Sequence, residues 1–276
     1  STGVPVAAIG DSDSVIFFNF RGDRPRELTR AFIQDDFNEF DRGKKPDVYF
    51  ATLSEYQKGL CDHVICSKPA KMKDILGSYV ADQGIPQFRC AETEKYPHVT
   101  FFFNDYRDDP FAEEERSMAP SPRDVSTYDQ KPEMSAEEIT EKVLGEIESG
   151  HSDLIVVNYA NGDMVGHTGV YQAAISAVET LDQCLGRIEK ALLANGGQAL
   201  ITADHGNCEQ MVDYQSGQNH TQHTTELVPL VYIGTRPVTL SAEGGILADI
   251  APSLLKLIGL EQPPEMTGHS LVAVAG

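Results

Sequence analysis

Nothing in the chain approaches the roughly 18 consecutive apolar residues that a bilayer-crossing helix needs, and no charged-then-apolar leader opens it. Neither a membrane span nor a signal peptide is expected. Positive charge is scarce, with 22 Lys and Arg against 42 Asp and Glu, a net charge of −20 at pH 7. A field of that sign repels phosphate backbones and anionic lipid, which argues against nucleic acid or a membrane surface as partner. Cysteine is sparse as well: Cys61, Cys66, Cys90, Cys184 and Cys208 are odd in number, scattered, and never spaced C-x-x-C. Reduced thiols in a cytoplasmic protein fit that pattern. Internal repeats and low-complexity segments are missing too. The 276 residues, 41% of them apolar, suffice for one large domain or two small ones. They begin at Ser1-Thr2-Gly3-Val4-Pro5 without Met, as a processed, cut or shortened chain would.

What is present is concentrated in three polar clusters, each beside an apolar run. Thr202-Ala203-Asp204-His205-Gly206-Asn207 follows Gln198-Ala199-Leu200-Ile201, itself entered through Asn195-Gly196-Gly197. That run reads as a buried parallel strand, whose end is where open α/β sheets hold ligands. Asn161-Gly162-Asp163-Met164-Val165-Gly166-His167 closes the run Leu154–Tyr159, and His220-Thr221-Gln222-His223-Thr224-Thr225 precedes Val228–Ile233. One Asp-His pair says little, since buried histidines satisfied by hydrogen bonds are commoner than ligands. But four of the eight histidines lie in these clusters, and Asp163 and His167, four apart, fall on one helical turn. Carboxylate oxygen and imidazole nitrogen together suit a hard-to-borderline divalent metal.

Taken in order, Ser14–Phe20 reads as a strand, about 27–33 as a helix, 35–46 as charged loop, Val48–Leu53 as a strand and Ser54–Ser67 as irregular. Arg21 and Arg24, at the first strand's end, have the geometry to grip phosphate or carboxylate, although spacing alone favours a solvated turn. A helix is expected from about Pro69 to Asp82, burying Met72, Ile75, Leu76, Tyr79 and Val80, then a strand over Val99–Asn104 and loop over Asp105–Asp124. Ser135-Ala136-Glu137-Glu138 has the form of a capping box opening a helix to about Ser149. Strand 153–159, helix 171–195 with its 3/4 periodicity, strands 198–203 and 228–233, and a helix from Asp249-Ile250-Ala251-Pro252 to about Ile258 complete the pattern. Alternation of strands and helices from residue 69 predicts a mostly parallel sheet with helices on both faces. A domain boundary is placed there, dividing residues 1–68 from 69–276.

The three clusters resemble the metal motifs of the cofactor-independent phosphoglycerate mutases, members of the alkaline phosphatase superfamily. The resemblance extends to Phe18-Asn19-Phe20-Arg21-Gly22-Asp23-Arg24, Ala91-Glu92-Thr93-Glu94-Lys95-Tyr96, Ser126-Thr127-Tyr128-Asp129, Asp249-Ile250-Ala251-Pro252 and Glu265-Met266-Thr267-Gly268, in the family's order. It implies an alkaline-phosphatase-like α/β domain over 69–276, preceded by the end of a second α/β domain, the transferase domain. It also implies two divalent ions of the Mn²⁺ type. Asp163, His167 and His223 would hold one, and Asp204 and His205 would contribute to the other. Arg21 and Arg24 would bind phosphoglycerate, and Lys95 would stabilise the phosphoryl group in transit.

The pattern departs from the family in three places, the first being Gly22 and Pro25, which modify the arginine turn without removing either arginine. Asp105-Tyr106-Arg107 stands where the family usually has glycines. The Asn-Ser-Glu-Val-Gly-His-like motif carrying the family's serine nucleophile is missing, with the Asp that completes the second metal site. The chain therefore looks like the C-terminal portion of such an enzyme, otherwise monomeric, and inactive until the N-terminal half is supplied. Thr168, Thr202 and Thr224 read as neighbours that hydrogen-bond loop backbone or ligands. Two other readings stand beside this one: a different metal-dependent phosphatase, phosphodiesterase or phosphopentomutase of the superfamily, or a non-catalytic binding module.

Overall fold

The computed structural model describes residues 5–20, 24–67 and 70–274. The chain divides into two compact units, Ser1–Lys71 and Met72–Gly276. No helix among the described residues is long and apolar enough to cross a membrane.

The first unit is a parallel sheet of β1 (Ser14–Phe17), β2 (Tyr49–Ser54) and β3 (His63–Cys66), in the order β1-β2-β3, with helix α1 (Arg24–Ile33). Aromatic packing joins helix to sheet: Phe32 stacks on Phe50 at 5.3 Å, and Phe17 meets Phe50 and Tyr56 edge-on. The first strand stops at Phe17 rather than Phe20. The 54–67 stretch is not wholly irregular. Its four residues His63–Cys66 are too few to show a period of their own, and pairing with Ala51–Ser54 makes them a strand.

In the second unit, α2 (Leu76–Asp82) begins later than expected, because Ile75 is extended at φ −64°, ψ 157° and Met72 is exposed. It leads to β4 (Gln87–Glu92), buried at every position. Where a strand was expected over Val99–Asn104, the chain forms one helical turn, α3 (Tyr96–Val99), and then a series of turns. The aromatic run is satisfied by edge-to-face packing of Phe101, Phe102 and Tyr106, not by a ladder. Asp105 and Tyr106 take φ of 52° and 60°, the left-handed region that glycine occupies without strain.

The expected acidic loop contains β5 (Glu114–Ala119), whose charged composition hid it. It pairs in parallel with β4 along its whole length. After α4 (Ala136–Ser149) comes β6 (Leu154–Asn158), on the other edge of β4. Ser135 does not cap α4 with its side chain; the hydroxyl donates to Pro120 O at 2.7 Å instead. α5 (Asn161–Gly166) and α6 (Tyr171–Ala194) follow.

β7 (Ala199–Ile201) is a correction in kind: it pairs antiparallel with β8 (Val231–Ile233), not as a parallel strand. Two further short strands flank α7 (Ile250–Ile258), β9 (Val238–Leu240) and β10 (Val272–Val274), which also pair antiparallel.

The β5-β4-β6 sheet is covered on both faces, which is why β6 is apolar from Leu154 to Val157 instead of alternating. Ile155 and Val157 face α4 and α6, packing with Phe88, Cys90, Ile139 and Val143. Leu154 and Val156 face the other way, against Leu76 and Val80 of α2 and Leu255 of α7. Each fully buried side chain of this kind contributes about 1.5–3 kcal/mol. The architecture is mixed α/β with parallel sheets. Its C-terminal strand ends emit the loops that carry the candidate site.

Candidate metal centre

β6 ends at Asn158, and after two residues α5 begins with Asp163 in its first turn and His167 as its C-cap. The His167 amide donates to Asp163 O at 3.0 Å, so one turn of helix sets both side chains on the same side. His223 arrives from far along the chain. Its loop is tied to the Asp204-His205 loop by the bridge Gly206↔Thr224, with the Thr224 amide on Gly206 O at 3.0 Å. A side chain at Gly206 would overlap the Thr224 hydroxyl, so the close approach requires glycine.

Three atoms able to ligate a metal meet at one point. His167 Nε2 and His223 Nε2 each lie 3.0 Å from Asp163 Oδ1 and 3.1 Å from each other. His167 Nδ1 is 2.7 Å from Thr221 O, and a carbonyl can only accept, so Nδ1 carries the proton and Nε2 presents its lone pair. A carboxylate and imidazole lone pairs converging in this way suit a divalent cation. They form the one such group of three donors found among the described residues. The His205 ring stacks on His223 with centres 3.7 Å apart. Its Nε2 is 3.9 Å from Asp163 Oδ2 and 3.6 Å from Asp204 Oδ1.

Lys95 reaches the same point from beneath. It precedes α3, its amide donates to Glu92 O, and its side chain is only 2% exposed. Nζ lies 2.9 Å from Asp163 Oδ2 and 3.4 Å from Asp204 Oδ2. Burial alone would push the Asp163 carboxyl up. The Lys95 hydrogen bond and charge, with help from Asn207 and His167, outweigh it and hold Asp163 at about 2. Asp204 is likewise held low against its burial by Lys95, His205 and the Asn158 amide. Burial and the neighbouring His205 push His223 down, favouring the neutral ring that a metal needs.

The structure thus gathers Lys95, Asp163, His167, Asp204, His205 and His223. Arg21 lies outside the described residues. Arg24 opens α1, and its side chain lies outside them as well. The Thr168 hydroxyl donates to Val165 O at 2.6 Å and that of Thr224 to Glu209, so both are engaged as neighbours. A cavity of about 340 Å³ opens beside His167, between Met164 and the loop Pro122–Tyr128. Sequence reasoning assigned nothing to Asn158 and Asn207, whose amides reach Asp204 and Asp163. For Asn207 the only signal was its place two residues after His205.

The comparisons agree with a metal-dependent site. The family model for the metalloenzyme superfamily matches residues 4–262. A 2,3-bisphosphoglycerate-independent phosphoglycerate mutase of Rhodopirellula baltica is 62% identical over 98% of this chain and 51% of its own length. One from Pseudomonas savastanoi is 54% identical over 96% of this chain and 52% of its own. The crystal structure of a Leishmania mexicana phosphoglycerate mutase at low cobalt concentration superposes with a TM-score of 0.83 at 34% identity. It covers 98% of this chain and 52% of that one. The chain spans about half the length of the curated relatives it matches, and it belongs to the metalloenzyme superfamily.

Proposed function

We propose that this chain is the C-terminal portion of a cofactor-independent phosphoglycerate mutase, a glycolytic isomerase that interconverts 3-phosphoglycerate and 2-phosphoglycerate. The observation that carries the reading is the convergence of Asp163, His167 and His223 beside the buried Lys95 ammonium. It occurs in a chain so similar to mutases of that name. In this reading residues 69–276 are the phosphatase-like metal-binding domain, and 1–68 close a transferase domain that holds substrate through Arg21 and Arg24.

Asp163, His167 and His223 would hold one Mn²⁺. Asp204 and His205 would contribute to a second, completed by ligands outside this chain. Such ions would lower the pKa of a serine hydroxyl and screen the phosphoryl oxygens. Lys95, pre-aimed on a buried stem, would neutralise charge on the phosphoryl group as it moves. With its carboxylate held ionised, Asp163 keeps the Lys95 ammonium in position. The serine that would accept the phosphoryl group lies outside these residues, so the 276-residue chain alone turns nothing over. The protein would be cytoplasmic and monomeric.

Two measurements test this. Titration of the metal-free chain with Mn²⁺ should find one tight site, lost in Asp163→Asn. Two tight sites, or one indifferent to Asp163, would show the ligands misassigned. An enolase-coupled assay should detect Mn²⁺-dependent isomerisation only when the upstream half is supplied, with most of it gone in Lys95→Ala or Arg24→Ala. General phosphatase activity without isomerisation would favour another member of the superfamily.

A further inference from the structure

Asn207 is 4% exposed, and its amide nitrogen is spent twice on one residue: Nδ2 donates to Asp163 Oδ1 at 2.8 Å and to Asp163 O at 3.1 Å. Oδ1 is the oxygen that both imidazole nitrogens face. Lys95 takes the other oxygen. The Asp163 carboxylate therefore has its rotation fixed from two sides, by one neutral donor and one cation. Asn207 is itself held. Its backbone amide donates to Glu209 Oε2 at 2.7 Å, and Glu209 Oε1 takes the Thr224 hydroxyl, next to His223. On its far side the Asn207 side-chain carbonyl is buried without a partner and lies against Gly166, where any Cβ would overlap it.

From this geometry we infer that Asn207 is a positioning residue for the metal centre. Its side-chain amide orients the Asp163 carboxylate toward His167 and His223, and through Glu209 and Thr224 it couples that carboxylate to the loop bearing His223. The inference rests on the metal reading above and deepens it. A neutral amide fits this role because it donates without adding charge, so Asp163 keeps its full negative charge for the cation. An aspartate there would set a second carboxylate, with no proton to donate, against Oδ1. Outer donors of this type characteristically govern affinity by ten- to a hundredfold.

The test is Co²⁺ binding to the metal-free 276-residue chain, followed by visible absorption and by calorimetry. Wild type should bind Co²⁺ tightly, and Asp163→Asn should lose it. Asn207→Ala should weaken binding by about ten- to a hundredfold and alter the d–d bands. Asn207→Asp should do at least as much, and Gly166→Ala, which displaces the amide while leaving Asn207 in the sequence, should act in the same direction. Ser253→Ala serves as the control: it deletes a buried hydroxyl of α7 that bonds Asp249 O and the Leu271 amide. It should lower the melting temperature but leave Co²⁺ affinity and spectrum unchanged. Wild-type Co²⁺ affinity and bands in Asn207→Ala, with Asp163→Asn inactive in binding, would overturn the positioning role and leave the metal reading standing. Failure of wild type to bind Co²⁺ through Asp163 would overturn both.

Discussion

At the N-terminal ends of β4 and β5, Glu114 accepts from Arg116 Nε at 2.6 Å, from Asn104 Nδ2 at 2.8 and 3.1 Å and from the Phe111 amide. Arg89, fully buried, lies over the Phe103 ring at 4.4 Å, its guanidinium brought down to about 10 by burial while the Glu114 charge resists. Beyond the C-terminal end of β6, Asp163, His167 and His223 instead turn three potential ligand atoms toward one another. The first end keeps its charge largely from water, whereas at the second Lys95 and Asp163 are covered and His167 and His223 are partly exposed. In the first, donors take both oxygens of the Glu114 carboxylate, although Arg89 Nε and Nη1, Arg116 Nη2 and Asn104 Oδ1 are buried without a partner. In the second, two imidazole nitrogens and a carboxylate oxygen that can each ligate a cation converge, with Lys95 and Asn207 holding the carboxylate from its other sides. Carboxylates saturated by buried donors rigidify a fold, and convergent ligand atoms with perturbed carboxylates mark a candidate binding site.

Breaking the Glu114 end should have the largest effect. Glu114→Ala strands Arg116 and the buried Arg89 without a counter-charge, a loss of about 3–5 kcal/mol. Urea unfolding measures it directly. A loss below about 1 kcal/mol would mean that the Arg89 end is no network, and the contrast with the metal end would fall.

The metal end should behave in the opposite way. His223 is half exposed, so His223→Ala in metal-free protein should change stability by only about 0.5 kcal/mol. The difference should emerge on adding metal. A ligand at a hundred times its Kd stabilises the native state by about 2.7 kcal/mol, seen as a rise in Tm for wild type and missing in His223→Ala. A variant that unfolds readily without metal, or still gains stability from Mn²⁺, would show His223 to be structural.

How much of this was legible beforehand follows the range of the interactions. The helix Tyr171–Ala194 and the turn joining Asp163 to His167 depend on neighbours a few residues apart, and periodicity carries that information. β5 could not be read, because Glu114-Glu115-Arg116-Ser117 has no apolar alternation and becomes a strand only through β4. The aromatic run at 99–103 misled for the converse reason: strand-like composition was satisfied by ring packing. The nearness of His223 to Asp163, sixty residues apart, came from family resemblance rather than from spacing. The Asn207 amide was invisible, since its bond to Asp163 depends on how two loops meet.

Glu92 lies at the C-terminal end of β4, close in sequence to Lys95, yet is buried like the residues of the Glu114 end. Burial raises its carboxyl above the usual 4.5, and the Ser121 hydroxyl, at 2.8 Å from Oε2, and the Ser135 amide only partly offset this. The direction of the pH effect follows. Below 4.5 both folded and unfolded states carry the proton, and the native state has its full stability. As pH rises through the raised native value, the unfolded chain releases its proton more readily, and stability is lost. Glu92→Gln removes that loss. Its Tm relative to wild type should therefore rise between pH 4 and pH 7, the smallest of these effects. A difference between the two proteins that stays constant from pH 4 to pH 8 would mean that Glu92 ionises at no cost. Glu92 would then belong with the compensated Glu114 carboxylate rather than between the two ends.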